Sequence, residues 1–135
     1  MEEVETQFPG VATAPTTARA FLRAALGTWE LDGFGEVTEL LTSELVTNVV
    51  RHVGAPMTLR ARFDTSSSRI RVEVDDPSTA PPVLRHPEPN EDNGRGILFI
   101  DSLADAWGAD IRPDGKTVWF ELDVSTATSE VHETS

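Results

Sequence analysis

The sequence predicts a two-layer α/β sandwich, with a mixed, mostly antiparallel sheet and helices packed on one face. Three observations lead there. Residues 16–29 and 35–53 repeat apolar side chains at helical spacing, whereas 57–63, 70–74 and 117–124 alternate in character. Polar turns join the alternating segments in pairs, as hairpins require. The order helix, helix, hairpin, loop, helix, hairpin then needs one shared sheet to cover the apolar faces.

The 135 residues, 39% of them hydrophobic, suffice for one domain with a single core. The expected organisation is an N-terminal segment 1–14, a domain over 15–124 and a disordered acidic tail over 125–135. No apolar run is long enough to span a membrane. Glu2, Glu3 and Glu5 stand where a signal peptide would be basic and then apolar, so a cytoplasmic location is expected. The absence of cysteine excludes a disulfide framework and most structural zinc sites. A net charge of −12 argues against direct nucleic-acid binding, which needs a basic face to displace counterions. An acidic surface suits solubility or a basic protein partner.

Pro9-Gly10 break the first segment, leaving room for a short edge strand over 7–11. Thr16 or Thr17 can cap the first helix, whose inner face is Phe21, Leu22, Ala25, Leu26 and Trp29. The second helix has a broad apolar arc through Val37, Leu40, Leu41, Leu45, Val49 and Val53, with Glu36, Ser43, Thr47 and Arg51 opposite. Gly54-Ala55-Pro56 ends it. Strands over 57–63 and 70–74 form the first hairpin. The Pro-rich stretch 76–93 follows; a loop of that length in a compact domain is usually functional or mobile. A third helix is expected over 97–103, and strands over 106–111 and 117–124 close the domain.

Four places carry residues suited to chemistry. Glu44, Asn48 and His52 recur at i, i+4, i+8 and project inside the apolar arc, where polar groups are costly unless partnered. An inward Asn oxygen suits Mg²⁺, and a Glu one turn away suits deprotonation of a hydroxyl. The same spacing fits a Glu reaching the rim and an Asn bonding a nearby loop. Asp76 ends a strand on its core face, suited to accept from an amino group such as that of adenine. Taken alone, an Asp before Pro77 reads first as a turn initiator. Asn93-Gly94-Arg95-Gly96 opens a helix, where free N–H groups favour phosphate and Arg95 can add charge. Gly115-Lys116-Thr117-Val118 enters the last strand; Lys116 is the only lysine.

Taken in this order, the four places resemble the GHKL ATPase family, and within it the stand-alone anti-sigma-factor serine kinases of actinobacterial type. The resemblance covers residues 15–124. Residues 41–48 with His52 resemble the family's N box, 72–78 its first nucleotide box, 94–108 its second box and following strand, and 115–120 its closing strand. The resemblance implies that Asn48 holds Mg²⁺ between the phosphates of ATP and that Glu44 is general base toward a serine hydroxyl. It further implies that His52 belongs to the nucleotide site and that Asp76 reads the adenine amine. The backbone at Gly94, Arg95, Gly96 and Ile97 would cradle phosphates, Thr117 would bond near the adenine, and 83–93 would be the ATP lid. The implied partners are a sigma factor and an anti-sigma-factor antagonist protein, in a homodimeric kinase that regulates transcription.

Two departures stand out. The first box reads Asp76-Pro77-Ser78-Thr79-Ala80, where active kinases of the family read Asp-x-Gly-x-Gly. Glu91-Asp92-Asn93 precede the glycine pair, where those kinases tend to carry a basic residue. The alternative function is therefore a non-catalytic GHKL module that regulates a partner by binding.

Overall fold

The computed structural model describes residues 1–82, 100, 101 and 103–125. Its elements are β1 (Glu2–Phe8), α1 (Ala14–Thr28), a 3-10 turn (Asp32–Phe34), α2 (Gly35–His52), β2 (Met57–Asp64), β3 (Arg69–Asp76), β4 (Ala106–Arg112) and β5 (Gly115–Asp123). The strands form one sheet in the order β1-β2-β3-β5-β4, and each described pairing is antiparallel. Alternation places Leu59, Ala61, Ile70, Val72, Val74, Val118, Phe120 and Leu122 in the core. There they meet Leu22 and Leu26 of α1 and Leu41, Leu45, Val46 and Val49 of α2. This is the α/β sandwich that the periodicities predict. No described helix is long and apolar enough to cross a membrane.

Some boundaries differ from expectation, each for a local reason. α1 begins at Ala14, ahead of the predicted Thr16 or Thr17 cap, with Thr13 at the N-cap position. Pro15 suits this first turn because its missing N–H would have no helical partner there. The edge strand lies at Glu2–Phe8 and not over 7–11; its acids meet arginines of β2, Glu3 opposite Arg62 and Glu5 opposite Arg60. Of the predicted third helix, Ile100, Asp101 and Leu103 are helical, and the Ala104 N–H bonds the Ile100 carbonyl at 3.0 Å. The predicted lid over 83–93, the box Gly94, Arg95, Gly96 and Ile97, and the tail after Ser125 lie outside the described residues.

The buried stripe of α2 is more polar than its hydrophobic pattern suggests. Thr38 and Thr42 are fully buried, and Ser43, expected on the exposed side, is buried too. Arg19 of α1 donates to the Ser43 hydroxyl at 2.9 Å, which explains the placement. As these small residues occupy the inner face, Glu44 and Asn48 sit half-buried at its edge and His52 is exposed. The Glu44, Asn48, His52 row therefore borders the apolar arc; it does not lie inside it. Gly54, with φ of 66°, ends the helix by donating its N–H to the Val49 carbonyl at 2.8 Å.

The sheet's other face is a lattice of opposite charges. Arg60 donates to Glu5 at 2.9 Å, Glu73 at 2.7 Å and Asp75 at 3.0 Å. Arg71 binds Glu73 at 2.7 Å and Glu121 at 2.9 Å, and its guanidinium lies 4.1 Å from the Trp119 ring centroid. Burial acts to raise the Glu73 carboxyl, and hydrogen bonds from Arg71 and Arg60 outweigh it, so Glu73 titrates below its ordinary value. A depressed carboxyl stabilises the fold above its unfolded value and loses that contribution as pH falls through the folded one. Stability should therefore drop below about pH 4.3, the ordinary glutamate value. Arg60→Met should cost about 1–3 kcal/mol at pH 7 and shift this acid limb upward, read by urea unfolding across pH.

Candidate functional site

The last two turns of α2 face the end of β3 and the start of β5 across a cavity of about 230 Å³. Asn48 and His52 line it from α2, Asp76 and Ser78 from β3 and its following turn, and Lys116 and Val118 from β5. Alternation along β3 turns Asp76 inward, as the sequence predicts, and its side chain has no exposed surface. Cross-strand register sets Lys116 directly opposite. Its Nζ lies 3.1 Å from each carboxylate oxygen.

The two oxygens of Asp76 differ. Oδ1 accepts from Lys116 and from the Ser78 N–H at 2.8 Å, which closes an Asx-turn. The Ala80 N–H bonds the Ser78 hydroxyl at 3.2 Å, so side chains shape the turn where glycines would otherwise do so. Oδ2 is buried and in ion-pair contact with Lys116, yet it accepts no aligned hydrogen bond. That oxygen retains capacity for a donor.

Glu44 lies one turn before Asn48 but lines a different, larger groove of about 720 Å³ between α1 and α2, with Arg19, Arg23 and Ser43. Burial raises its carboxyl above the ordinary value, and the nearby charge of Arg51 partly opposes this. Asn48, His52 and Asp76 thus share one cavity, with Glu44 beside it. Thr117 is placed elsewhere, which corrects the expectation that it bonds near the adenine. As a neighbour of the inward Lys116 and Val118 it takes the outer face, where its hydroxyl donates to Asp75 at 2.6 Å and accepts from Arg112 at 2.6 Å. Lys116 holds the position expected of Thr117. The signal for it was present: Val118 and Phe120 point inward, so period 2 sends Lys116 inward as well.

A model of the histidine kinase-like ATPase domain matches residues 9–122. The chain belongs to this family. It is 35% identical over 83 residues to an uncharacterized protein of Streptomyces coelicolor, across 58% of this chain and 78% of that one. Its fold is similar to the crystal structure of the RsbU and RsbW domains of a Mycobacterium tuberculosis protein, with a TM-score of 0.68 and 17% identity. That likeness covers 92% of this chain and 33% of the other, so this chain spans about a third of its length. A histidine kinase domain from the blue-light activated kinase of Erythrobacter litoralis is similar at a TM-score of 0.52 and 17% identity, over 86% of this chain and 64% of that one.

Membership in an ATPase-domain family implies ATP as ligand, and the cavity suits it. Oδ2 of Asp76 can accept from an amino group, and the Asn48 amide oxygen is a hard donor at the helix edge. Among the described residues no group of three His, Asp or Glu could hold a metal. A Mg²⁺ ion here would draw its other ligands from phosphate and water.

Gly115, at the start of β5, packs its backbone on the Asp76 carbonyl; a Cβ there would overlap that oxygen. Gly115→Ala should therefore part β3 from β5 at the site and lower stability by about 1–3 kcal/mol, measured by thermal or urea unfolding.

Proposed function

We propose that this domain is an ATP-binding regulatory protein of the anti-sigma type, acting as a serine/threonine kinase on an anti-sigma-factor antagonist protein in the cytoplasm. The observation that carries it is Glu44, a half-buried carboxylate raised by burial and one turn from Asn48, which lines the cavity that Asp76 shares. A carboxylate one turn from Asn48 suits deprotonation of a substrate hydroxyl. The match to the ATPase family and the fold's likeness to a chain with an RsbW domain support the same reading.

Asp76 accepts from the adenine amine, and Asn48 holds Mg²⁺ beside the phosphates. The phosphate cradle is assigned by the motif to Gly94, Arg95, Gly96 and Ile97, which lie outside the described residues, and His52 borders the cavity of Asn48 and Asp76. Mg²⁺ supplies charge neutralisation on the transferring phosphoryl group. Glu44 takes the proton of a substrate serine hydroxyl; the oxygen bonds to the γ-phosphorus as the bond to ADP breaks. Burial raises the Glu44 carboxyl, which makes its carboxylate a stronger base. The antagonist docks as substrate, the sigma factor is the protein held inactive, and the working assembly is a homodimer.

A second reading has its own observation. Asp76 already holds an ion pair with Lys116, and its turn is closed without glycines. Both features suit a module that binds a partner without transferring phosphate.

Phosphate transfer from ATP to a candidate antagonist separates the two. Glu44→Ala should keep ATP affinity within about threefold yet lower transfer by roughly 10²–10⁴. The wild-type rate should fall on the acid side of a midpoint above the ordinary glutamate value, in the direction of the Glu44 shift. Transfer that persists in Glu44→Ala would remove the base from this role, and no transfer by wild-type protein that binds ATP would favour the non-catalytic module.

A further inference from the structure

Lys116 lines the same cavity as Asp76 and pairs with it there. The Asp76 side chain has no exposed surface, whereas that of Lys116 keeps 5%. Both residues line the cavity, so a base that enters it comes within reach of the pair. An ammonium carries three donors. Asp76 engages it through one hydrogen bond and one ion-pair contact, both at 3.1 Å, which leaves a donor for the cavity. The ten other Lys or Arg side chains of this protein are all arginine. A compact ammonium fits beside a buried carboxylate and a cavity, where a planar guanidinium fork would fill the space.

We propose that Lys116 is a base-reading residue of this site, its ammonium donating to N1 of adenine while Asp76 both holds the lysine and accepts from the adjacent amine. Adenine places N1 next to its exocyclic amine. An amine on Oδ2, the Asp76 oxygen without a hydrogen bond, brings N1 to the lysine beside it. The carboxylate and the ammonium together match the donor and acceptor pattern of that edge, which a carboxylate alone would read only by half. This rests on the assignment of the cavity to ATP made above.

The test is competition on the full chain, with a fluorescent ATP analogue displaced by ATP or by 1-deaza-ATP, in which carbon replaces N1. Wild-type protein should bind 1-deaza-ATP at least about tenfold more weakly, the loss typical when a buried charged donor faces no acceptor. In Lys116→Met the two nucleotides should differ by less than about twofold. Should the unpaired carboxylate keep that variant from folding, Lys116→Met with Asp76→Asn makes the same comparison with a neutral pair. Equal affinity of wild-type protein for both nucleotides overturns the proposal. So does a tenfold preference for ATP that survives loss of the lysine. Tighter ATP binding by Lys116→Met would also overturn it and make Lys116 a plug. Wild-type protein that binds no nucleotide at all would overturn the ATP assignment itself, a distinct result.

Discussion

The Asp76–Lys116 ion pair joins the two strands on which the cavity depends. β3 and β5 pair along their whole length, and these two residues face each other at the end nearest α2. Both side chains are withdrawn from water. A buried pair of this kind contributes little net stability, since desolvation offsets most of the attraction, but removal of one partner leaves a costly bare charge. The pair therefore acts as a constraint: it fixes where β5 starts, closes the turn after β3 through Ser78, and places a donor beside a free acceptor. Gly115 belongs to the same constraint, because only a residue without Cβ lets β5 approach the Asp76 carbonyl.

The sheet divides its labour by face. Inward positions of β2, β3 and β5 are aliphatic or aromatic until the last pair, where the core gives way to the cavity. Outward positions carry Arg60, Arg62 and Arg71 against Glu3, Glu5, Glu73 and Glu121. Charges paired in this way across neighbouring strands favour the observed register, since a shift of one residue would send every charge into the core. Ordered strands then hold Asp76 and Lys116 in line. α2 closes the third side, its position set by the packing of Leu41, Leu45, Val46 and Val49 and by Arg19 reaching Ser43. Asn48 and Glu44 follow from that placement.

Much of this was legible in the sequence because periodicity records burial directly. Both helices, the two hairpins and the inward turn of Asp76 follow from spacing alone. What escaped depends on contacts between elements. Ser43 reads as exposed because nothing in α2 shows that α1 will offer Arg19. Glu44 and Asn48 project into the apolar arc because Thr38 and Thr42, polar by composition, are buried in practice. β1 hides its strand character behind three glutamates, of which Glu3 and Glu5 find arginines on β2 and Glu2 accepts from Trp29. Thr117 matched a motif by position, whereas the parity of β5 gives the cavity to Lys116. A motif names residue types in order; strand alternation decides which of them face the site.

The proposed function requires that α2, β3 and β5 together build a nucleotide site in which Asn48 serves the phosphate end. Calorimetric titration of ATP with Mg²⁺ into wild-type protein and Asn48→Ala tests it most directly. The account predicts saturable binding at one site per chain, weakened at least about tenfold in the variant and far less dependent on Mg²⁺ there. Folded wild-type protein that gives no binding isotherm, or an Asn48→Ala variant that binds Mg-ATP as tightly as wild type, would contradict it.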